Sequence, residues 1–125
     1  MASSGLFKAA AVLNALSIPG HMKYGFDYIY PSVALVPGGP KHAFGKQGAV
    51  DGWDYMNGSL AIAALLNWQW STTGGPTTKF ENLMFWTLFA SGGLCGIRYF
   101  KVGSYKPLLC HWVAPVLAVA ALWLK

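Results

Sequence analysis

A carboxylate and an imidazole held close together can carry a proton to and from an organic molecule, and this chain places both inside otherwise apolar stretches. Asp27, Asp51, Asp54, Asn57, Arg98 and His111 all lie in or beside hydrophobic runs. An ionisable group in such surroundings is costly unless it is paired or faces a wet cavity, so each of the six is a candidate site residue. Asp54, His111 and Asp27 are the candidates for proton transfer. Asp51, Asn57, Arg98, Tyr28 and Tyr55 are the candidates for holding a ligand.

Spacing groups these residues further. Asp51, Asp54, Tyr55 and Gly58 follow i, i+3, i+4, i+7 and share one helical stripe, with Asn57 a turn from Asp54. Lys23 and Asp27 are i, i+4 partners, and His21 shares a face with Tyr24 and Tyr28. Each residue also has a plainer role. Asp51 and Asp54 near a helix start complement the helix dipole, a contribution of roughly 0.3–1 kcal/mol each. Asp54 and Asn57 can join helices, Arg98 can anchor a helix end or pair with an acid, and His111 can be a neutral hydrogen-bonded ring in a polar core. Both sets of roles are open at this stage.

Several chemistries find no support. His21, His42 and His111 have no helical pairing, and Cys95 and Cys110 lack metal-ligand spacing, so no metal or other cofactor is expected and the cysteines read as buried free thiols. No Gly-rich phosphate loop opens a helix. The Asn57-Gly58-Ser59 triplet fits a glycosylation sequon but falls inside a predicted helix. The net charge of +5 comes from nine Lys and Arg scattered over loops and helix ends, which argues against nucleic acid.

The elements that would carry these residues are helices. The first hydrophobic region runs from Gly5 to Val36, about 48 Å as one helix, with breaks expected at Pro19-Gly20 and Pro31. Pro37-Gly38-Gly39-Pro40 opens a loop that is expected to reach Gln47. A second helix is expected from about Val50 to Trp70, with Trp53 and Tyr55 at one end and Trp68 and Trp70 at the other. Ser71 to Pro76 is a turn. Thr78 and Glu81 stand in capping-box spacing and start a third helix that runs to about Lys101. Gly92 and Gly96 within it permit close approach of another helix. Gly103 to Lys106 makes a hairpin, and Pro107 opens a fourth helix that ends at Leu124. Pro31 frees the carbonyl of Asp27, and Pro115 frees that of His111.

Of the 125 residues, 54% are hydrophobic and 10% charged, against a soluble norm of roughly 25% charged. That composition leads to one all-α domain over residues 1–125, a polytopic membrane protein with a bundle of four transmembrane helices, the first and fourth kinked. The apolar first segment reads as a retained helix rather than a cleaved signal. Antiparallel threading brings the candidate residues to one side of the bilayer. Lys23, Lys41, Lys46, Arg98, Lys101 and Lys106 on that side, against Lys8, Lys79 and Lys125 opposite, would put both termini on the non-cytoplasmic side. The endoplasmic reticulum or the mitochondrial inner membrane would suit such a protein.

The Lys23 to Pro31 region ending the first span, and the Gly74-Gly75-Pro76 turn after the second, resemble in layout the small four-helix membrane proteins of the DoxX-like group. The resemblance covers most of the chain and transfers no functional residues. Two functions fit the sequence. One is a protein whose polar pocket binds or acts on a lipophilic small molecule, with isomerase, cyclase or hydrolase chemistry open. The other is a non-catalytic accessory or assembly subunit of a larger membrane complex. The expected partners are the lipid bilayer together with the lipophilic molecule or a membrane protein, and self-association is open.

Overall fold

The computed structural model describes residues 2–124. Helix α1 (Ala2–Tyr24) passes through a π-helical turn (Gly25–Ile29) into the short α2 (Tyr30–Ala34). Helix α3 (Pro40–Thr73) and helix α4 (Lys79–Lys101) follow, and a second π-helical turn (Leu109–Val113) leads into α5 (Ala114–Trp123).

Helix α1 is the centre of the bundle and packs against α3 and α5. Its buried residues Ser3, Phe7, Ala10, Ala11 and Asn14 recur at three- and four-residue intervals and so form a single stripe. The core joins Phe7 and Ala10 to Trp70, Phe85, Ala114, Ala118 and Ala121. The three alanines of α5 lie on one face and let that helix approach α1 closely. Helix α4 is held differently, because only Phe85 and Gly96 of it are buried. Phe85 meets Trp70 with ring centroids 5.4 Å apart, and the glycines farther along receive the second π turn. Although the Gly74 to Thr78 turn joins them, α3 and α4 hardly touch along their lengths.

The capping box is present: the Thr78 hydroxyl accepts from the Glu81 amide at 3.1 Å, and the Glu81 carboxylate accepts from the Thr78 amide at 3.1 Å. Helix α3 starts at Pro40, not near Val50 as the loop reading required. Gly39, at φ +105°, turns the chain, and Pro40 then occupies the first turn, where its missing donor costs nothing. Gln47 donates to Asp51 at 2.7 Å across one turn of this added segment.

The prolines act in two ways. Helix α1 is continuous through Pro19, which lies on its exposed side. Pro31 and Pro115 each follow a π turn centred four residues earlier, on Asp27 and on His111. A proline ring crowds the carbonyl four residues before it, and a wider turn there relieves that crowding. The helix then resumes through i→i+5 bonds, Tyr30 N–H to Gly25 O and Ala114 N–H to Leu109 O.

The all-α reading agrees with the structure, but the membrane-spanning reading does not. Among the described residues no helix is long and apolar enough to cross a membrane. Helix α5 is the most uniformly apolar, yet with its preceding π turn it extends only about 22 Å, short of a hydrocarbon core of about 30 Å. Helices α1, α3 and α4 have the length, but Gly, Ser, Asn and charged residues interrupt their apolar positions. Much of the apolar count is Ala, Trp and Tyr, and the mean hydropathy is only +0.39. The four-span topology, the termini assignment and the placement in an organelle membrane fall with that finding.

Candidate functional site

Part of the expected cluster forms where the end of α1 meets the first half of α3. Asn57 Oδ1 lies 3.1 Å from His21 Nδ1, and the His21 ring stacks on Trp53 at 3.9 Å and 11°. Gly25 makes this approach possible, since a Cβ there would stand 2.6 Å from Trp53 Nε1. The Tyr30 hydroxyl donates to Asp54, and the Tyr24 and Ser104 hydroxyls are 3.2 Å apart. Asn57 is thus joined to α1, and Asp54 to α2, by hydrogen bonds.

The other candidates lie apart. Asp27 forms an exposed 2.7 Å ion pair with Lys23, of a kind that contributes little to stability. Asp51 is exposed and bonded to Gln47 within its own helix. Tyr28 and Tyr55 are 55% and 79% exposed, so neither is enclosed around a ligand. Arg98 is exposed near the end of α4. His111 is buried, its ring stacked 5.5 Å from that of Tyr99.

His111 instead lines a cavity of about 290 Å³ in the space that α3 and α4 leave between them. Leu60, Ala63, Asn67 and Trp70 of α3 form one wall, and Phe85, Leu88, Gly92 and Cys95 of α4 form another. Asn14, Cys110, His111 and Ala118 close the back, and Ser59 and Ser91 complete the polar complement. None of the lining residues is Asp, Glu, Lys or Arg. The carbonyl of His111 faces α4, where a Cβ on Gly92 would stand 2.9 Å from it. The π turn before Pro115 therefore lies at the point where glycine allows two backbones to meet.

The polar groups of the cavity are neutral. Burial lowers the His111 pKa, and the nearby His21 lowers it further, so the imidazole is uncharged near neutral pH. Burial raises the Cys110 thiol, whose Sγ donates to Pro107 O at 3.2 Å. Outside the cavity, where its ring stacks on His111, Tyr99 is raised by burial to about 12. Asn14 and Asn67 each donate Nδ2 to a carbonyl of the preceding turn, Ala10 O at 2.9 Å and Ala63 O at 2.8 Å. Asn67 Oδ1 and Trp70 Nε1 are buried and have no hydrogen-bond partner among the described residues.

Sequence reasoning missed Asn14, Asn67 and Trp70. A signal existed for the asparagines, because each interrupts an apolar run: Val12-Leu13 before Asn14, and Leu65-Leu66 before Asn67. A polar group in such a run needs the same explanation that was asked of the acids.

The histidines make stability depend on pH. His21 is also lowered, first by burial, with the Asn57 bond and the Asp54 charge opposing. A lowered histidine pKa leaves stability fully present above the ordinary value of 6.5 and removes it as pH falls below that value, because the unfolded chain then takes up protons the folded chain resists. The melting temperature is expected to fall between pH 7.5 and 5.5, and His111→Gln should flatten that slope. Thermal melts at both pH values check this. Glu81, lowered chiefly by the Thr77 and Thr78 bonds, acts in a separate window below 4.5.

The chain matches no family model, no curated protein and no solved structure.

Proposed function

We propose that this protein binds a lipophilic small molecule in the cavity between α3 and α4. The observation that carries the reading is a mostly apolar cavity of about 290 Å³ whose lining includes the neutral side chains of Asn14, Ser59, Ser91 and His111. Sites for small ligands combine an apolar lining with a small number of placed polar atoms, and they often lie between helices of a bundle. Binding is favoured over catalysis because His111 shares the cavity with no carboxylate: Asp54 is tied to Tyr30 and Asp27 to Lys23, and neither lines it.

N-phenyl-1-naphthylamine, a neutral lipophilic fluorophore, tests the proposal. Its emission is expected to rise and shift to the blue on mixing with the protein, with one saturable site. Ala63→Phe should fill the cavity, and Ser91→Trp should obstruct it from an exposed position. Each is expected to weaken probe binding by about tenfold or more, equivalent to about 1.4 kcal/mol, while the helical circular dichroism is retained. Saturable binding unchanged in both folded variants would locate the probe elsewhere and overturn the assignment.

A second reading, an accessory subunit of a larger assembly, draws on helix α4. Phe80, Leu83, Leu94 and Ile97 are 76%, 64%, 62% and 47% exposed, and large apolar side chains exposed along one helix suit an interaction surface.

A further inference from the structure

We propose that the turn joining α4 to the second π turn docks on an anionic membrane surface, with its apolar side chains in the headgroup layer and its cations against lipid phosphates. Docking of this kind asks for no helix that crosses the bilayer. A turn at the surface is ordinarily polar, whereas here Phe100, Val102, Tyr105 and Leu109 are 52%, 77%, 61% and 52% exposed. Hydrogen bonds fix that arrangement. The Gly103 N–H donates to Phe100 O at 3.1 Å and the Ser104 N–H to Tyr99 O at 3.0 Å, with Gly103 at φ +73°, the Schellman close of a helix. The Tyr24 and Ser104 hydroxyls, 3.2 Å apart, tie the turn to α1, and the Phe100 and Tyr105 rings meet edge-on at 5.7 Å across it. Val102 is thus held at the tip of a built turn, where it covers nothing in the fold.

Charge selects the partner. Arg98 and Lys101, one helical turn apart, and Lys106 beyond the turn are all exposed, and residues 82–125 contain no Asp or Glu. The acids elsewhere are engaged: Asp27 pairs with Lys23, and Asp51, Asp54 and Glu81 accept from Gln47, Tyr30 and Thr78. Among the described residues no acid therefore pairs with the three cations. Cations interleaved with aromatic and aliphatic side chains match a surface that has phosphates outside and hydrocarbon beneath. An acidic protein would match the charge and leave Val102 and Leu109 against polar groups.

Co-sedimentation with vesicles of phosphatidylcholine alone, and of phosphatidylcholine and phosphatidylglycerol in equal parts, tests the proposal. The protein is expected to bind the anionic vesicles about tenfold or more tightly than the neutral ones, because each Lys or Arg near an anionic surface adds about fivefold in affinity. Lys101→Gln with Lys106→Gln should remove most of that preference. Lys8→Gln with Lys79→Gln takes the same charge from exposed positions toward the other end of the bundle and should leave the preference nearly unchanged. Lys79 and Lys101 are at opposite ends of α4, about 33 Å apart, well beyond a screening length of about 8 Å. Val102→Asp should weaken binding to the anionic vesicles by about tenfold or more, with the helical circular dichroism retained because Val102 is mostly exposed. Absence of binding, equal affinity for the two vesicles, full binding by Val102→Asp or equal losses from the two lysine pairs would overturn the assignment. So would a lipid-free dimer that Val102→Asp separates, which would give the surface to a second copy of this chain.

Discussion

Phe7→Ala is expected to destabilise the protein by about 3–5 kcal/mol, a large part of the roughly 5–15 kcal/mol that holds a typical domain together. Phe7 is fully buried on the central helix and lies 6.3 Å from the ring of Trp70, which in turn meets Phe85. Removing the ring takes away its own burial and leaves a void beneath the contact that ties α4 to the rest of the bundle. Leu16→Ala on the same helix is the control, because Leu16 is 66% exposed and its loss should change stability by no more than about 0.5 kcal/mol. Urea unfolding followed by circular dichroism measures both. Equal midpoints for the two variants would show that the Phe7–Trp70–Phe85 contact does not support the fold.

Gly96→Ala is expected to destabilise by about 1–3 kcal/mol, against a helix propensity that favours alanine by about 1 kcal/mol. A Cβ on Gly96 would overlap the indole of Trp112, whose Nε1 donates to Gly93 O at 3.3 Å. The indole has to move, and its hydrogen bond and its stacking on Phe100 at 5.7 Å move with it. Gly93→Ala, in the same helix with nothing within 4 Å of the new methyl, should instead stabilise by about 0.5–1 kcal/mol. Opposite signs at two glycines in one helix are therefore the expected result. The same sign at both would mean that propensity, not packing, decides.

The periodicity, the Thr78–Glu81 cap and the close approach at Gly92 and Gly96 were legible because each depends on residues near in sequence. The same holds for the locally opened backbone at Asp27 and His111, where the structure has π turns, since the residue crowded by a proline lies four positions before it. The start of α3 was misread. Four breakers in a row at Pro37 to Pro40 suggested a long loop, whereas one turn at Gly39 is enough to begin a helix.

What the sequence by itself determined is the set of helices, most of their ends and the local irregularity around two prolines, all consequences of backbone sterics and hydrogen bonding over a few residues. Tertiary structure alone decided which polar residues share a space. Asp54 faces Tyr30 and Asn57 faces His21, while His111 joins Asn14 and Asn67 in a cavity that contains no carboxylate. Helical periodicity fixes the side of a helix on which a residue lies, but not the partner opposite it or how far two helices splay. Here the separation of α3 from α4 is set by two distant contacts, Trp70 on Phe85 and the second π turn on Gly92 and Gly96, and the cavity lies between them.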